Sequence, residues 1–85
     1  MTNQDIARQL REQAAVLARE GNNLYRIRAF RQAAMAVLAL PDEAAALVAR
    51  SGPRALEHVP GIGKSLAGTI AGLLGGAVPG PLAAA

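Results

Sequence analysis

Four clusters of turn-forming residues cut the chain into pieces of helical length, and no piece alternates polar with apolar residues as a strand would. The clusters are Gly21-Asn22-Asn23, Pro41, Ser51-Gly52-Pro53 and Pro60-Gly61-Ile62-Gly63. Between them the apolar residues recur at helical spacing. Ile6, Leu10, Gln13/Ala14 and Leu17 form one line; Ile27, Phe30, Ala34, Val37 and Leu38 form the next. Composition points the same way. Of the 52% hydrophobic residues many are alanine, with one Phe, one Tyr and no Trp. Alanine suits closely packed helices, whereas a sheet draws on β-branched and aromatic residues. The spacing therefore predicts an all-α fold, a small bundle of four main helices plus a short helical turn.

The predicted helices cover residues 3–20, 24–40, 42–50 and 63–76, with the single turn at 54–58. Thr2 and Asp5 stand at capping-box spacing before the first, and Gly21 with the two asparagines stops it. One domain is expected over residues 1–76, followed by a loosely ordered tail over 77–85. Residues 65–85 carry no charge, and Gly68, Gly72 and Gly76 have the small-residue spacing of packed membrane helices. A span needs about 20 predominantly apolar helical residues, and Gly75, Gly76, Pro79, Gly80 and Pro81 interrupt this run first. No membrane partner is expected.

Several kinds of chemistry are excluded early. No cysteine is present, so there is neither a disulfide nor a thiolate metal site. His58 is the lone histidine and has no companion ligand. The N-terminus lacks a secretory apolar run, and with the missing cysteine this leads us to expect a cytoplasmic protein. The formal net charge is +3, from eight Arg, one Lys and six acids. Arginine offers a planar, permanently charged fork that suits phosphate, so a polyanionic partner is expected.

The segment Pro60-Gly61-Ile62-Gly63-Lys64-Ser65 opens directly into the last helix. The two glycines let a ligand approach the backbone without a Cβ in the way. The amides of Gly61, Gly63, Lys64 and Ser65 are expected to point outward at a helix N-terminus, where the dipole favours an anion. Lys64 adds a full charge, Ser65 a hydroxyl, and Ile62 is the expected anchor into the core. The Walker spacing is absent and no strand precedes the turn. With the preceding turn, "ALEHVPGIGKSLAGTI" resembles the helix-hairpin-helix motif. That resemblance implies a grip on a DNA backbone phosphate without sequence readout.

The segment "GNNLYRIRAFRQAAMAVLALP", with "TNQDIARQL" before it and the hairpin after it, resembles the N-terminal domain of the family X DNA polymerases, the bacterial members above all. The similarity runs from Thr2 to about Pro81. It implies binding of single-stranded or gapped DNA and its 5′-phosphate, a role in DNA repair, and a repair polymerase or another repair protein as partner. In the family's eukaryotic repair members a lysine on the helix after the hairpin removes a 5′-deoxyribose phosphate through a Schiff base. Here that position is Thr69, and Gly68 replaces a neighbouring Glu. Ser65 stands for a phosphate-site lysine and Phe30 for a tyrosine. Schiff-base chemistry needs an amine, and arginine does not supply a nucleophilic one. Apart from the chain terminus, only Lys64 carries one, in the hairpin where phosphate contact is its expected task. No catalytic residues, and hence no enzyme, are expected. Eighty-five residues leave no room for a polymerase palm, so the chain is expected to be a stand-alone relative or a fragment.

The resemblance also places Tyr25 and Arg26 at the 5′-phosphate and the adjacent base. Arg28 and Arg31, three apart, share a face that is a further candidate for DNA contact, with Arg26 pointing elsewhere. Against this, the arginines could be solvated or paired with Glu12, Glu20 or Glu43, and Tyr25 could pack on the first helix. Hairpins of this kind can hold a monovalent cation, K+ or Na+, which by position would sit on the backbone carbonyls of Glu57, Val59 and Ile62. No other cofactor is expected. A rival reading is an interaction module, in which Ala67, Gly68, Ala71, Gly72 and Gly75 form a small-residue face that docks on a partner or on a second copy.

Overall fold

The computed structural model describes residues 1–21 and 23–75. Their order is α1 (Asn3–Arg19), α2 (Leu24–Leu38), α3 (Ala44–Ser51), a 3₁₀ helix (Pro53–His58) and α4 (Lys64–Gly75). Among the described residues there is no strand, so the all-α expectation holds. The tail expected over 77–85 lies outside the described residues.

Capping fixes where α1 starts. The Thr2 hydroxyl accepts from the Asp5 amide at 3.1 Å, and the Thr2 amide donates back to the Asp5 carboxylate at 3.0 Å. Those bonds, the Thr2 amide first, hold the Asp5 carboxyl below its ordinary pKa. Gly21, at φ 68°, ends the helix and donates its amide to the Ala18 carbonyl. The tight reversal lays α2 antiparallel on α1. Ile6, Ala7, Leu10 and Ala14 are buried against Ile27, Phe30, Ala33, Ala34 and Val37.

α2 stops at Leu38, short of the expected residue 40. The last turn tightens, with Leu40 donating to the Val37 carbonyl, because the residue before Pro41 avoids helical geometry. Leu38 belongs to the predicted apolar line but is exposed. By phase it lies only about 20° from Ile27, so its exposure comes from its place as the last residue of α2 and not from its angle. Ser51, expected in a turn, is instead the last residue of α3, and Gly52 at φ 87° makes the break.

A polar clasp joins the starts of α1 and α3. The Asn3 side chain donates to the Asp42 carbonyl at 3.0 Å and accepts from the Ala44 amide at 2.7 Å. The Glu43 carboxylate in turn accepts the Asn3 amide at 2.9 Å. Each helix thus has its N-terminus capped by the other's residue, and Glu43 is engaged here rather than with an arginine. Asn3 is the one buried polar residue among those described, and the clasp satisfies it.

α4 buries Leu66, Ala67 and Ile70. Gly68, Gly72 and Gly75 lie on its solvent side, and a Cβ on any of them would meet nothing within 4 Å. Ala67 sits in the core, about 100° round the helix from Gly68. The small-residue face predicted from sequence is therefore split between core and solvent.

Candidate nucleic-acid interface

The 3₁₀ helix delivers the chain to the hairpin with Leu56 fully buried. Its i→i+3 pattern would offer the Glu57 carbonyl an amide from residue 60, which is Pro60 and has none. Val59 and Ile62 then close a small turn, the Ile62 amide donating to the Val59 carbonyl at 3.0 Å. The Ile62 side chain is only 3% exposed. Its amide is bonded and its side chain is in the core, so Ile62 holds the turn in place and presents nothing of its own to a ligand except its carbonyl. Among the described residues the carbonyls of Glu57 and Ile62 accept no hydrogen bond, and that of Val59 accepts one.

The two hairpin glycines do different work. Gly61 has φ 92°, and a Cβ there would stand 3.2 Å from Ala36 Cβ and 3.6 Å from the Gln32 carbonyl oxygen. It needs both the left-handed backbone and the missing side chain, because it seats the turn directly on α2. Gly63 has no positive φ and open space around it. A positive φ is thus required only at Gly61. The Gly63 carbonyl accepts the first bond of α4, from the Ala67 amide at 2.8 Å.

The amides of Gly61, Gly63, Lys64 and Ser65 donate to no protein acceptor among the described residues, and all four residues are exposed. These residues line a cleft of about 600 Å³ between the hairpin and α2. Hairpin residues from Gly61 to Leu66 form one wall; Tyr25, Arg26, Ala29, Phe30 and Gln32 form the other. Arg26 and Lys64 are both in the lining and no carboxylate is. The first turn of α4 and the first turn of α2 also carry no acid, so neither helix dipole is compensated there. Arg26 lies with its guanidinium carbon 5.9 Å from the Phe30 ring centroid, a cation–π contact that holds it against the cleft wall. Tyr25 is 78% exposed at the mouth and does not pack on α1.

The family model of the helix-hairpin-helix domain matches residues 1–75. The chain is a helix-hairpin-helix domain. No curated protein and no solved structure matches it. Helix-hairpin-helix domains generally bind DNA without sequence preference, and the unpaired amides of this one lie in the turn that gives the family its name.

The cleft brings together Tyr25, Arg26, Gly61, Ile62, Gly63, Lys64 and Ser65 of the residues singled out from sequence. It does not include Arg28 or Arg31, which are exposed on another face of α2. Arg26, which the resemblance set beside the 5′-phosphate and the spacing set on a different face from Arg28 and Arg31, is the arginine in the lining. Gln32 and Ala29 were missed. Tyr25, Ala29, Gln32 and Ala36 repeat at steps of 4, 3 and 4, and the two alanines leave room for a neighbouring backbone. That spacing was the available signal. Among the described residues no group of three or more His, Asp or Glu could hold a metal ion, and no helix is long and apolar enough to cross a membrane.

Proposed function

We propose that this helix-hairpin-helix domain grips the backbone or the 5′-phosphate of single-stranded or gapped DNA in the cleft between the hairpin and α2, and performs no lyase or polymerase chemistry. The observation that carries the reading is that the amides of Gly61, Gly63, Lys64 and Ser65, four exposed residues lining the cleft, donate to no protein acceptor among the described residues. A phosphate there meets backbone donors, the start of α4 and the Lys64 ammonium. Arg26 reaches a second phosphate or the 5′ end, and the exposed Tyr25 ring stacks on a base beside it. The carbonyls of Glu57, Val59 and Ile62 face the chemistry of a hard monovalent cation, K+ or Na+, which would bridge to a phosphate oxygen. The amines support the reading without lyase chemistry: apart from the chain terminus only Lys64 carries one, it sits in the hairpin, and the Thr69 hydroxyl donates to the Ser65 carbonyl at 3.2 Å. A role in repair and a repair polymerase as partner extend the same reading.

Fluorescence anisotropy with a labelled gapped duplex, with and without its 5′-phosphate, tests this at two salt concentrations. Affinity should fall with salt as counterions are released, and Lys64→Ala should lower the logarithmic salt slope by about 0.7–0.9. The Lys64→Ala, Gly63→Asp double variant should lose binding. Borohydride reduction on an abasic 5′-end should trap no adduct; a covalent product at Lys64 would restore the lyase.

A further inference from the structure

The face of α2 that turns away from the core carries Leu24, Arg28, Arg31, Met35 and Leu38. These recur at steps of 4, 3, 4 and 3 residues, the repeat of a coiled-coil seam. Leu24 is 59% exposed, Met35 64% and Leu38 47%, although each is large and apolar. Between them Arg28 and Arg31 form no ion pair among the described residues, unlike Arg8 and Arg50, which pair with Asp5 and Asp42. None of the five lines the cleft.

We propose that this seam, about 20 Å long at 1.5 Å per residue, is the docking surface for an acidic amphipathic helix of another protein. Charge and pattern select that occupant. Leu24 at one end and Met35 with Leu38 at the other gain from burial against apolar side chains. The paired arginines between them call for Glu or Asp on the partner's inner positions. A second copy of the chain is disfavoured, because bringing two such seams together in either direction sets arginine against arginine at the centre. A DNA strand would satisfy the arginines but would leave three large apolar side chains in water or against phosphate. The proposal is independent of the cleft and of what it binds.

The test uses the full chain and a fluorescein-labelled helical peptide with leucine at the outer seam positions and glutamate at the inner ones. Saturable binding is expected. Arg28→Glu with Arg31→Glu should weaken it by about tenfold or more, because two ion pairs are lost and two repulsions take their place. A peptide with lysine in place of glutamate should bind that reversed variant and not the wild type. Met35→Ala with Leu38→Ala should weaken the glutamate peptide while leaving affinity for a gapped duplex unchanged. All four positions are exposed, so circular dichroism should report intact helices throughout. The proposal is overturned if the peptide does not bind, or if binding ignores these substitutions. It is also overturned if Arg28→Ala with Arg31→Ala costs as much duplex affinity as Lys64→Ala, which gives the face to DNA. Concentration-dependent dimerisation in sedimentation that Leu38→Ala removes would give it to a second copy.

Discussion

Replacing each hairpin glycine by alanine separates the scaffold from the site. At Gly61 the backbone lies at φ 92° and a Cβ would stand 3.2 Å from Ala36 Cβ. The left-handed conformation costs an L-residue about 1–2 kcal/mol, and forcing an extra carbon against a packed neighbour costs about 1–3 kcal/mol more. A domain of this length has about 3–5 kcal/mol of net stability, so Gly61→Ala should remove most of it. At about 4–8 °C per kcal/mol the thermal midpoint should drop by well over 8 °C. At Gly63 the φ is ordinary and the space is open. There the reduced freedom of the unfolded chain favours alanine by about 0.4–1 kcal/mol, and the poorer cap opposes it by a similar amount. Gly63→Ala should therefore melt close to wild type. Its methyl group occupies the space a phosphate oxygen needs, and loss of one amide–phosphate bond, about 1.5 kcal/mol, corresponds to roughly a tenfold weaker Kd. Calorimetry and duplex anisotropy on both variants are the assay. A stable Gly61→Ala, or a Gly63→Ala that binds as well as wild type, would refute the division of roles.

Asn3→Ala leaves the Ala44 amide without its acceptor and frees the Asp42 carbonyl, and should cost about 1–3 kcal/mol in urea unfolding with little change in duplex affinity. Tyr25→Ala should do the opposite: the ring is largely in solvent, so stability holds, while affinity for a single strand falls by the stacking of one base, about 1–3 kcal/mol. Asp5 has its pKa lowered in the fold by the Thr2 amide and hydroxyl. Its contribution is therefore complete above the unfolded-chain value of about 3.9 and is lost as pH falls through the lower folded value. Acid unfolding followed by circular dichroism should show less pH sensitivity below that value in Asp5→Asn.

What could be read in the sequence was what depends on local spacing. The apolar lines of α1 and α2, the Thr2–Asp5 box, the Gly21 stop and the hairpin all declare themselves within a few residues. What could not be read depends on contacts between distant segments. Asn3 looks like a first-turn residue; only the return of residues 42–44 to its side makes it a buried clasp. Arg26 and Arg28 are two apart on the same helix, and nothing local says which faces the hairpin. Arg26 lies between the side that seats the hairpin, at Gln32 and Ala36, and the buried Phe30 and Ala33, and that flank is the one the cleft occupies. Leu38 has the spacing of the apolar line, and only its place at the very end of α2 leaves it exposed.

Those long-range contacts also determine the shape of the cleft. The Gly61 seat meets α2 at Gln32 and Ala36, and the Asn3 clasp ties the start of α1, which lies beside the end of α2, to the start of α3. Both ties therefore hold the hairpin half of the domain at the C-terminal end of α2. Tyr25 lies 11 residues before Ala36, about 16 Å along the helix, and no hydrogen bond or ion pair crosses from the hairpin to that end among the described residues. The backbone seat thus holds the hairpin at one end of α2, while towards Tyr25 the packing of Ile27 and Phe30 in one core with Ile62 and Leu66 holds it. The proposed grip on a strand end in this cleft predicts tighter binding of a gapped than of an intact duplex, and anisotropy with both duplexes at one salt concentration checks it; equal affinities would refute it.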